Sequence, residues 1–268
     1  MLPYKAVLSL APERLSTPGD AAGCVCNPSS IYCRAGMNFR TRLLRTLRAL
    51  EPVLHEPGVL VAGSEVPNLL EPDARSTLIV SQDVDIAVPV ERHAAVKARL
   101  REITGLARSE EEPSVWLPMH PDLMEVNFIG MDSSGRTYVL EDDELPLLVF
   151  GHLSLLRPRD PIIVDGLRIP VPRPAGLVLE KLLTDRSGEK GERDLLVALA
   201  LLLVSEATDL TELEALYRGL PPEHRYAIRS GLSTLSLLGP RLQMPDPTSN
   251  RALVAELLAR LEKTEANE

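Results

Sequence analysis

Three short stretches of the chain decide its fold: VAGS at residues 61–64, SQDVDI at residues 81–86 and MEVNF at residues 124–128. The first closes an apolar run over residues 58–62 with a glycine and a serine, which predicts a buried strand that ends in a tight turn. In the second, acidic and apolar residues alternate from Asp83 onward, as in a strand with one face in the core. The third alternates in the same way. Together they predict a sheet with acidic side chains on one face.

The second stretch carries two aspartates in an Asp-x-Asp arrangement. In an extended strand, Asp83 and Asp85 point to the same face with their Cα atoms about 6.6 Å apart, two rises of roughly 3.3 Å. Two unpaired carboxylates repel each other, so a cation between them keeps both ionised. Oxygen ligands of this kind suit magnesium, which leaves places for water and phosphate. If Glu125 faces the same way on a neighbouring strand, it adds a third carboxylate to this predicted metal site.

Gly63 and Ser64 predict a second part of the site. Glycine has no Cβ, so backbone N–H groups there can approach a phosphate closely, and the serine hydroxyl adds a donor. A phosphate anchor beside carboxylates that bind magnesium indicates phosphoryl or nucleotidyl transfer.

These residues resemble the nucleotidyltransferase fold superfamily. Its pattern is a glycine followed by glycine or serine, a spacer, Asp-x-Asp or Asp-x-Glu, and a third acidic residue on a later strand. The segment PRPAGLVLEKLL at residues 172–183, followed by Arg186, Lys190 and RDL at residues 193–195, resembles the signature of bacterial nucleotidyltransferase-like proteins grouped with toxin components of abortive-infection systems. The matches span about residues 58–200. The resemblance implies an α/β (α+β) fold: a mixed sheet followed by a C-terminal helical domain.

The resemblance also implies roles for single residues. Gly63 and Ser64 would bind the triphosphate of a nucleoside triphosphate (NTP). Asp83 and Asp85 would hold Mg²⁺ or Mn²⁺, with Glu125 as the third metal ligand and a candidate base.

Charged residues of the helical segment complete the implied site. Lys181 and Lys190 would bind the nucleotide by neutralising its phosphates, or position the acceptor, and Asp194 would orient a basic residue. The implied reaction transfers a nucleoside monophosphate from the NTP to an acceptor that the sequence does not identify, whether RNA, protein or a small molecule.

Two features depart from the family pattern. Eighteen residues separate Ser64 from Asp83, and Pro67 and Pro72 interrupt the helix expected in this spacer. The third acid is Glu125, where aspartate is commoner. The alternative function is a catalytically inactive nucleotidyltransferase-fold protein that acts as a binding or regulatory partner of another protein, as in a toxin–antitoxin-like pair.

The composition narrows the class of protein. With 268 residues, 44% of them hydrophobic, the chain can bury a large core without disulfides. Its net charge of −9 argues against nucleic-acid binding by the whole surface. The most apolar run, residues 195–204, is far shorter than the roughly 20 residues of a membrane span. We therefore expect a cytoplasmic protein with no membrane partner.

The order of the predicted elements suggests three regions. They are an N-terminal extension (1–36), a nucleotidyltransferase-like domain (37–174) and a helical domain (175–268). The periodicity of apolar residues predicts strands and a helix in the second region and mostly helices in the third. The strands are expected over 58–62, 78–88, 115–117 and 123–129, the helix over 93–106, and a hairpin around Asp165-Gly166.

The sequence also supports structural predictions for three further features. The first firm helix is expected from about Asn38, its N-cap, to Leu50. One face of this helix is basic and is either solvated or in contact with a polyanion; it carries Arg42, Arg45 and Arg48. A cysteine cluster lacks a fourth metal ligand, which favours reduced thiols at Cys24, Cys26 and Cys33 over a metal or redox role. The acidic residues 141–144 are expected to form a solvated turn.

Overall fold

The fold is a mixed sheet followed by a helical region. This architecture confirms the predicted α/β class. A computed structural model describes residues 28–184 and 188–266 of the chain. The strands of the main sheet are β1 (Leu60–Val61), β2 (Asp83–Pro89), β3 (Leu106–Arg108), β4 (Val115–Pro118), β5 (Glu125–Met131), β6 (Tyr138–Leu140) and β7 (Leu147–Val149). They are arranged in the order β1-β2-β5-β4-β3. β7 pairs with the far end of β5, and β6 pairs with β7.

The central strands β2 and β5 are parallel, and they divide their side chains between two faces of the sheet. On one face, Val84, Ile86, Val126 and Phe128 are buried in the core. This alternation is the period of two expected from the sequence, because successive side chains of a strand point to opposite faces. The polar side chains of both strands therefore share the other face.

The first helix, α1 (Pro28–Ala49), begins ten residues before the predicted start at Asn38, so that prediction is wrong. Proline is favourable in a first helical turn, and the single glycine in the segment, Gly36, costs only about 1 kcal/mol inside a helix. The helix can therefore extend through this segment. Cys24 and Cys26 lie outside the described residues, as does the side chain of Cys33.

The basic face of α1 contacts neighbouring loops of the same chain. Arg42 donates to the carbonyl of Leu123 at 2.8 Å, and Arg48 donates to the carbonyl of Asp165 at 2.9 Å. Arg45 forms an ion pair with Asp122 at 2.6 Å. Arg45 and Arg48 are exposed, as expected for a solvated face, although each also contacts a loop of the same chain. Contact with a polyanion stays a prediction.

The spacer between β1 and β2 is compact although it contains prolines. After α2 (Glu51–Leu54) and β1, Pro67 lies in the first turn of α3 (Val66–Leu70), where its missing N–H costs no helical hydrogen bond. The amide of Asn68 then donates to the carbonyl of Ile79 at 2.8 Å and accepts its N–H at 3.1 Å. This side chain takes the place of a strand partner, so β2 begins only at Asp83 and not at residue 78 as predicted.

The next helix is also shorter than predicted. α4 spans His93–Leu100, and Leu106, expected at the end of this helix, begins β3 instead. Gly105, with φ of +82°, turns the chain between the two elements.

The hairpin and the helical region agree with the prediction. Asp165 and Gly166 have φ values of 49° and 79°, as in a two-residue turn, and they join β8 (Ile162–Val164) to β9 (Leu167–Ile169). The helices that follow are α5 (Pro174–Leu183), α6 (Gly188–Leu203), α7 (Ala207–Arg218), α8 (Pro222–Leu237) and α9 (Arg251–Ala266).

Helix α5 lies against the sheet region at a very short distance. A Cβ on Gly176 would lie 2.3 Å from the carbonyl oxygen of Leu155, at the end of a 3₁₀ helix over Gly151–Leu155, so only glycine allows this approach. One hydrophobic core runs from α1 through the sheet to α9. Among the described residues, no helix combines the length and the apolar character that a bilayer span requires.

Candidate functional site

The register of β2 and β5 brings the predicted acidic residues together. Asp83 lies opposite Glu125, and Asp85 lies opposite Asn127, in adjacent parallel strands. Residues that are paired in this way point to the same face of the sheet. The structure thus places all three predicted carboxylates on one face, at the beginning of the two central strands.

Asn127 connects the two aspartates and was not predicted. Its side-chain nitrogen Nδ2 donates to Asp83 Oδ2 at 3.2 Å and to Asp85 Oδ1 at 3.0 Å. The hydroxyl of Ser81 donates to the other oxygen of Asp83 at 2.5 Å. Two carboxylates therefore converge on a single atom. The signal for Asn127 was available in the sequence, because it follows Glu125 by two residues and so shares its face.

Glu65 is a second residue that the sequence analysis missed. It is 1% exposed, and its Oε1 accepts the backbone N–H of Asp85 at 3.3 Å. Its Oε2 is buried and has no hydrogen-bond partner among the described residues. A Cβ on Gly63 would lie 2.2 Å from this oxygen, so the glycine provides the space in which the carboxylate lies. The signal available in the sequence was the position of Glu65, a charged residue between the Gly-Ser turn and an apolar run.

The burial of these carboxylates disfavours their charged forms. Burial raises the pKa of Glu65 well above its usual value, and the negative charge of Asp85 raises it further. Burial also raises the pKa of Asp85, against the opposing effect of Lys181. The pKa of Glu125 is raised by burial and then by Asp83. The pKa values of these carboxyl groups are thus raised mainly by burial and further by neighbouring carboxylates, and perturbed pKa values of this kind are common at functional sites.

Lys181 is the cation nearest to this cluster, and it is shared among several carboxylates. It is 8% exposed, and its Nζ lies 3.0 Å from Glu180 Oε2 and 4.0 Å from Asp194 Oδ1. Burial lowers the pKa of Lys181, but Glu180, Asp194 and Asp85 outweigh this effect and raise it overall. The lysine is therefore charged at neutral pH.

The predicted phosphate-binding turn contacts an arginine from the helical region. The Arg193 guanidinium donates to Ser64 Oγ at 3.4 Å and to the carbonyl of Val80 at 3.1 Å. Arg193 belongs to the signature quoted from the sequence but had no predicted role there. Lys190 is exposed in the first turn of α6, and the described structure gives it no contact with Asp83, Asp85 or Glu125.

The pair of aspartates offers the ligand atoms that magnesium prefers. In the part of the chain that the structure describes, no group of three or more His, Cys, Asp or Glu side chains is arranged to hold a metal. Magnesium, however, is commonly bound by one or two carboxylates, with waters and substrate phosphates as its other ligands. The convergence of Asp83 and Asp85 on Asn127 Nδ2 shows that their oxygens reach a common point.

Comparison with known proteins does not assign this site. No protein-family model matches the chain, and no curated protein is significantly similar to it. Its chemistry is therefore inferred from the side chains that meet at the beginning of β2 and β5.

Proposed function

We propose that this protein transfers a nucleoside monophosphate from an NTP to an acceptor, with Mg²⁺ or Mn²⁺ as the metal. The observation that carries this proposal is the convergence of Asp83 and Asp85 on one atom, on a sheet face next to the Gly63-Ser64 turn. Bound magnesium would neutralise the triphosphate and favour the departure of pyrophosphate.

Different residues of the chain have different roles in this reaction. Asp83 and Asp85 hold the metal, and Ser64 with the Arg193 guanidinium beside it binds the departing phosphates. Glu125, on the strand next to Asp83, is the third metal ligand and the candidate base, since burial and then Asp83 raise its pKa and so make its carboxylate a stronger proton acceptor.

The helical region supports the same assignment. Lys181 lies close enough to Asp85 to affect its pKa, and its ion pairs hold its ammonium group in place. We expect Lys181 to balance the charge of the aspartates, so that it acts on the nucleotide through them. Lys190 stays a predicted nucleotide-binding residue on the exposed start of α6.

The test is nucleotidyl transfer by the double variant Asp83→Asn/Asp85→Asn. Each NTP, labelled at the α-phosphate, is incubated with Mg²⁺ and with RNA, protein and low-mass fractions of a cell extract. We expect the variant to lose at least about a hundredfold in transfer rate. Asp73→Asn/Asp160→Asn, which changes two exposed aspartates, is the matched control and should label as the wild type does. Equal labelling by all three proteins would contradict the proposal.

A catalytically inactive protein that binds a partner is the second candidate. It is favoured by the two hydrogen bonds of Asn127, because these satisfy Asp83 and Asp85 without an ion. Calorimetry with a nonhydrolysable NTP and Mg²⁺ separates the candidates. Tight binding that Asp83→Asn/Asp85→Asn abolishes supports the enzyme, and no binding at millimolar nucleotide supports the inactive partner.

A further inference from the structure

A cavity of about 260 Å³ lies beside Asp85, on the same face of the sheet as the carboxylates. Ala62, Asp85 and Ile129 line it from the sheet, and Lys181 and Thr184 line it from α5. Its volume lies just below the roughly 300–1,000 Å³ that is usual for small-molecule sites. It is therefore large enough to hold one small molecule.

The cavity and the Gly63-Ser64 turn lie on opposite sides of the carboxylate pair. β1 and β2 are antiparallel, and the N–H of Ala62 donates to the carbonyl of Asp85 at 3.0 Å. The chain that continues through Gly63 to Ser64 therefore runs toward the Asp83 end of β2, away from the cavity. Ala62 and Asp85 line the cavity, whereas Ser64 contacts Arg193.

The geometry of the proposed reaction places the acceptor on the cavity side. In a phosphoryl displacement, the attacking and leaving oxygens lie roughly in line on either side of the phosphorus. If pyrophosphate leaves at the Gly63-Ser64 turn, the acceptor oxygen approaches from the opposite side. It bonds to the α-phosphorus as the bond to the bridging oxygen breaks. Pyrophosphate takes the electron pair, and the hydroxyl proton passes through the carboxylate cluster to water.

The neutral polar groups of the lining suit a molecule with hydroxyl groups. Thr137 Oγ1 accepts the N–H of Gly151 at 3.0 Å, which leaves its own hydrogen available to a ligand. Burial, and then the neighbouring His224, lowers the pKa of His152, so its imidazole is neutral and can donate or accept. The ring of Phe150 adds an apolar wall.

The charges around the cavity disfavour a polyanion. Lys181 is its one cationic side chain in the described structure, and that charge is already shared with Glu180 and Asp194, while the carboxyl groups of Asp85 and Glu180 also line the cavity. An RNA acceptor would bring one phosphate per nucleotide next to this carboxylate. The arginines of α1 are not among the residues that line the cavity, and each of them contacts a loop of the same chain.

On these grounds we propose that the cavity binds the acceptor, and that the acceptor is a small hydroxylated molecule, not RNA or a protein. This inference rests on the proposed nucleotidyl transfer and specifies its second substrate. It assigns the wall residues Ile129 and Phe150 to acceptor binding. The nucleoside of the NTP would then lie outside the cavity.

The test fills the cavity and measures nucleotide binding and transfer separately. Ile129→Phe adds volume inside the cavity, and Ile163→Phe makes the same change at a strand position that is 59% exposed. Phe150→Trp fills the same space from another wall. It replaces Ile129→Phe in the test if the melting temperature of Ile129→Phe shows that this variant does not fold. The probes for binding are nonhydrolysable analogues of each NTP with Mg²⁺. The probes for transfer are the α-labelled NTPs with separate RNA, protein and low-mass fractions of a cell extract.

We expect Ile129→Phe to bind the analogue like the wild type but to transfer label at least about tenfold more slowly, because a misplaced acceptor loses its reactive orientation. Ile163→Phe should match the wild type in both measurements. Loss of analogue binding in Ile129→Phe would place the nucleoside in the cavity and overturn the inference. Label found only in RNA or protein would overturn it too, while nucleotidyl transfer itself would stand. A wild type that neither binds the analogue nor transfers label would overturn both proposals.

Discussion

Two acidic clusters of this chain have opposite electrostatic environments. At the carboxylate face, Glu65 and Asp85 are buried and their pKa values are raised. In the acidic segment 141–144, Asp142 accepts the N–H groups of Glu144 and Leu145 and pairs with Lys97 at 2.8 Å. The hydrogen bond from this lysine lowers the pKa of Asp142 well below its usual range.

The comparison shows that local acidity does not decide what an acidic cluster does. Residues 141–144 carry four adjacent acidic side chains, but basic residues of α4 and β3 contact them, and Arg101 lies 3.3 Å from Glu144. Glu141, Asp143 and Glu144 are exposed, as expected for a solvated segment, whereas Asp142 is partly buried and anchored by its partners. At the carboxylate face the nearest cation is Lys181, which is shared. The pKa values at the carboxylate face are raised by burial, whereas that of Asp142 is lowered by its partners.

The largest effect is expected when Lys181 is removed from the carboxylate face. Lys181→Met leaves Asp85, Glu180 and Asp194 without their shared cation, so we expect the free energy of unfolding to fall by about 3 kcal/mol. Urea denaturation of the metal-free protein at pH 7 measures this. Lys190→Met, at an exposed position of α6, is the matched control and should change little. Similar stabilities of the two variants would mean that the buried carboxylates are protonated or differently paired.

A smaller effect of opposite sign is expected from Glu65→Gln. The raised pKa means that Glu65 favours folding below its unfolded value of 4.5 and that this contribution is lost as the pH rises through the folded pKa. The glutamine variant should therefore be more stable than the wild type at pH 7, and the difference should shrink as the pH falls toward 4.5. Thermal unfolding with a metal chelator measures both, with the exposed Glu111→Gln as control. A variant that is less stable at every pH would contradict the assignment of an unpaired buried carboxyl.

The smallest effect is expected in the acidic segment. Asp142→Asn removes the ion pair with Lys97, which is partly exposed, so the loss at pH 7 should not exceed about 1 kcal/mol. Because the pKa of Asp142 is lowered, its contribution is present above its usual value of 3.8 and is lost as the pH falls. The free energies of unfolding of the wild type and the variant should thus converge as the pH falls. Asp143→Asn, an exposed neighbour, should leave stability unchanged; equal losses in both variants would mean that Lys97 selects no single carboxylate.

The parts of the site that could be predicted were those governed by short-range periodicity. Asp83 and Asp85 share a face because a strand alternates, whatever lies beside it. Asn127 follows the same rule, but its side chain is an amide and matches no position of the acidic pattern, so it was not predicted. Glu65 stands out in the sequence as a charged residue between the Gly-Ser turn and an apolar run. Its contact with the backbone N–H of Asp85, however, depends on how the segment after the turn packs against β2.

The sequence by itself determined the local structure: the alternating strands, the Asp-Gly hairpin and the apolar periodicity of the later helices, since each depends on residues that are close along the chain. Only the tertiary structure decided that β5 pairs with β2 in a register that places Asn127 opposite Asp85. It alone decided that Lys181 is shared among carboxylates and that a cavity lies beside Asp85. These contacts join residues far apart in sequence, and they depend on how strands and helices pack, which local patterns do not encode.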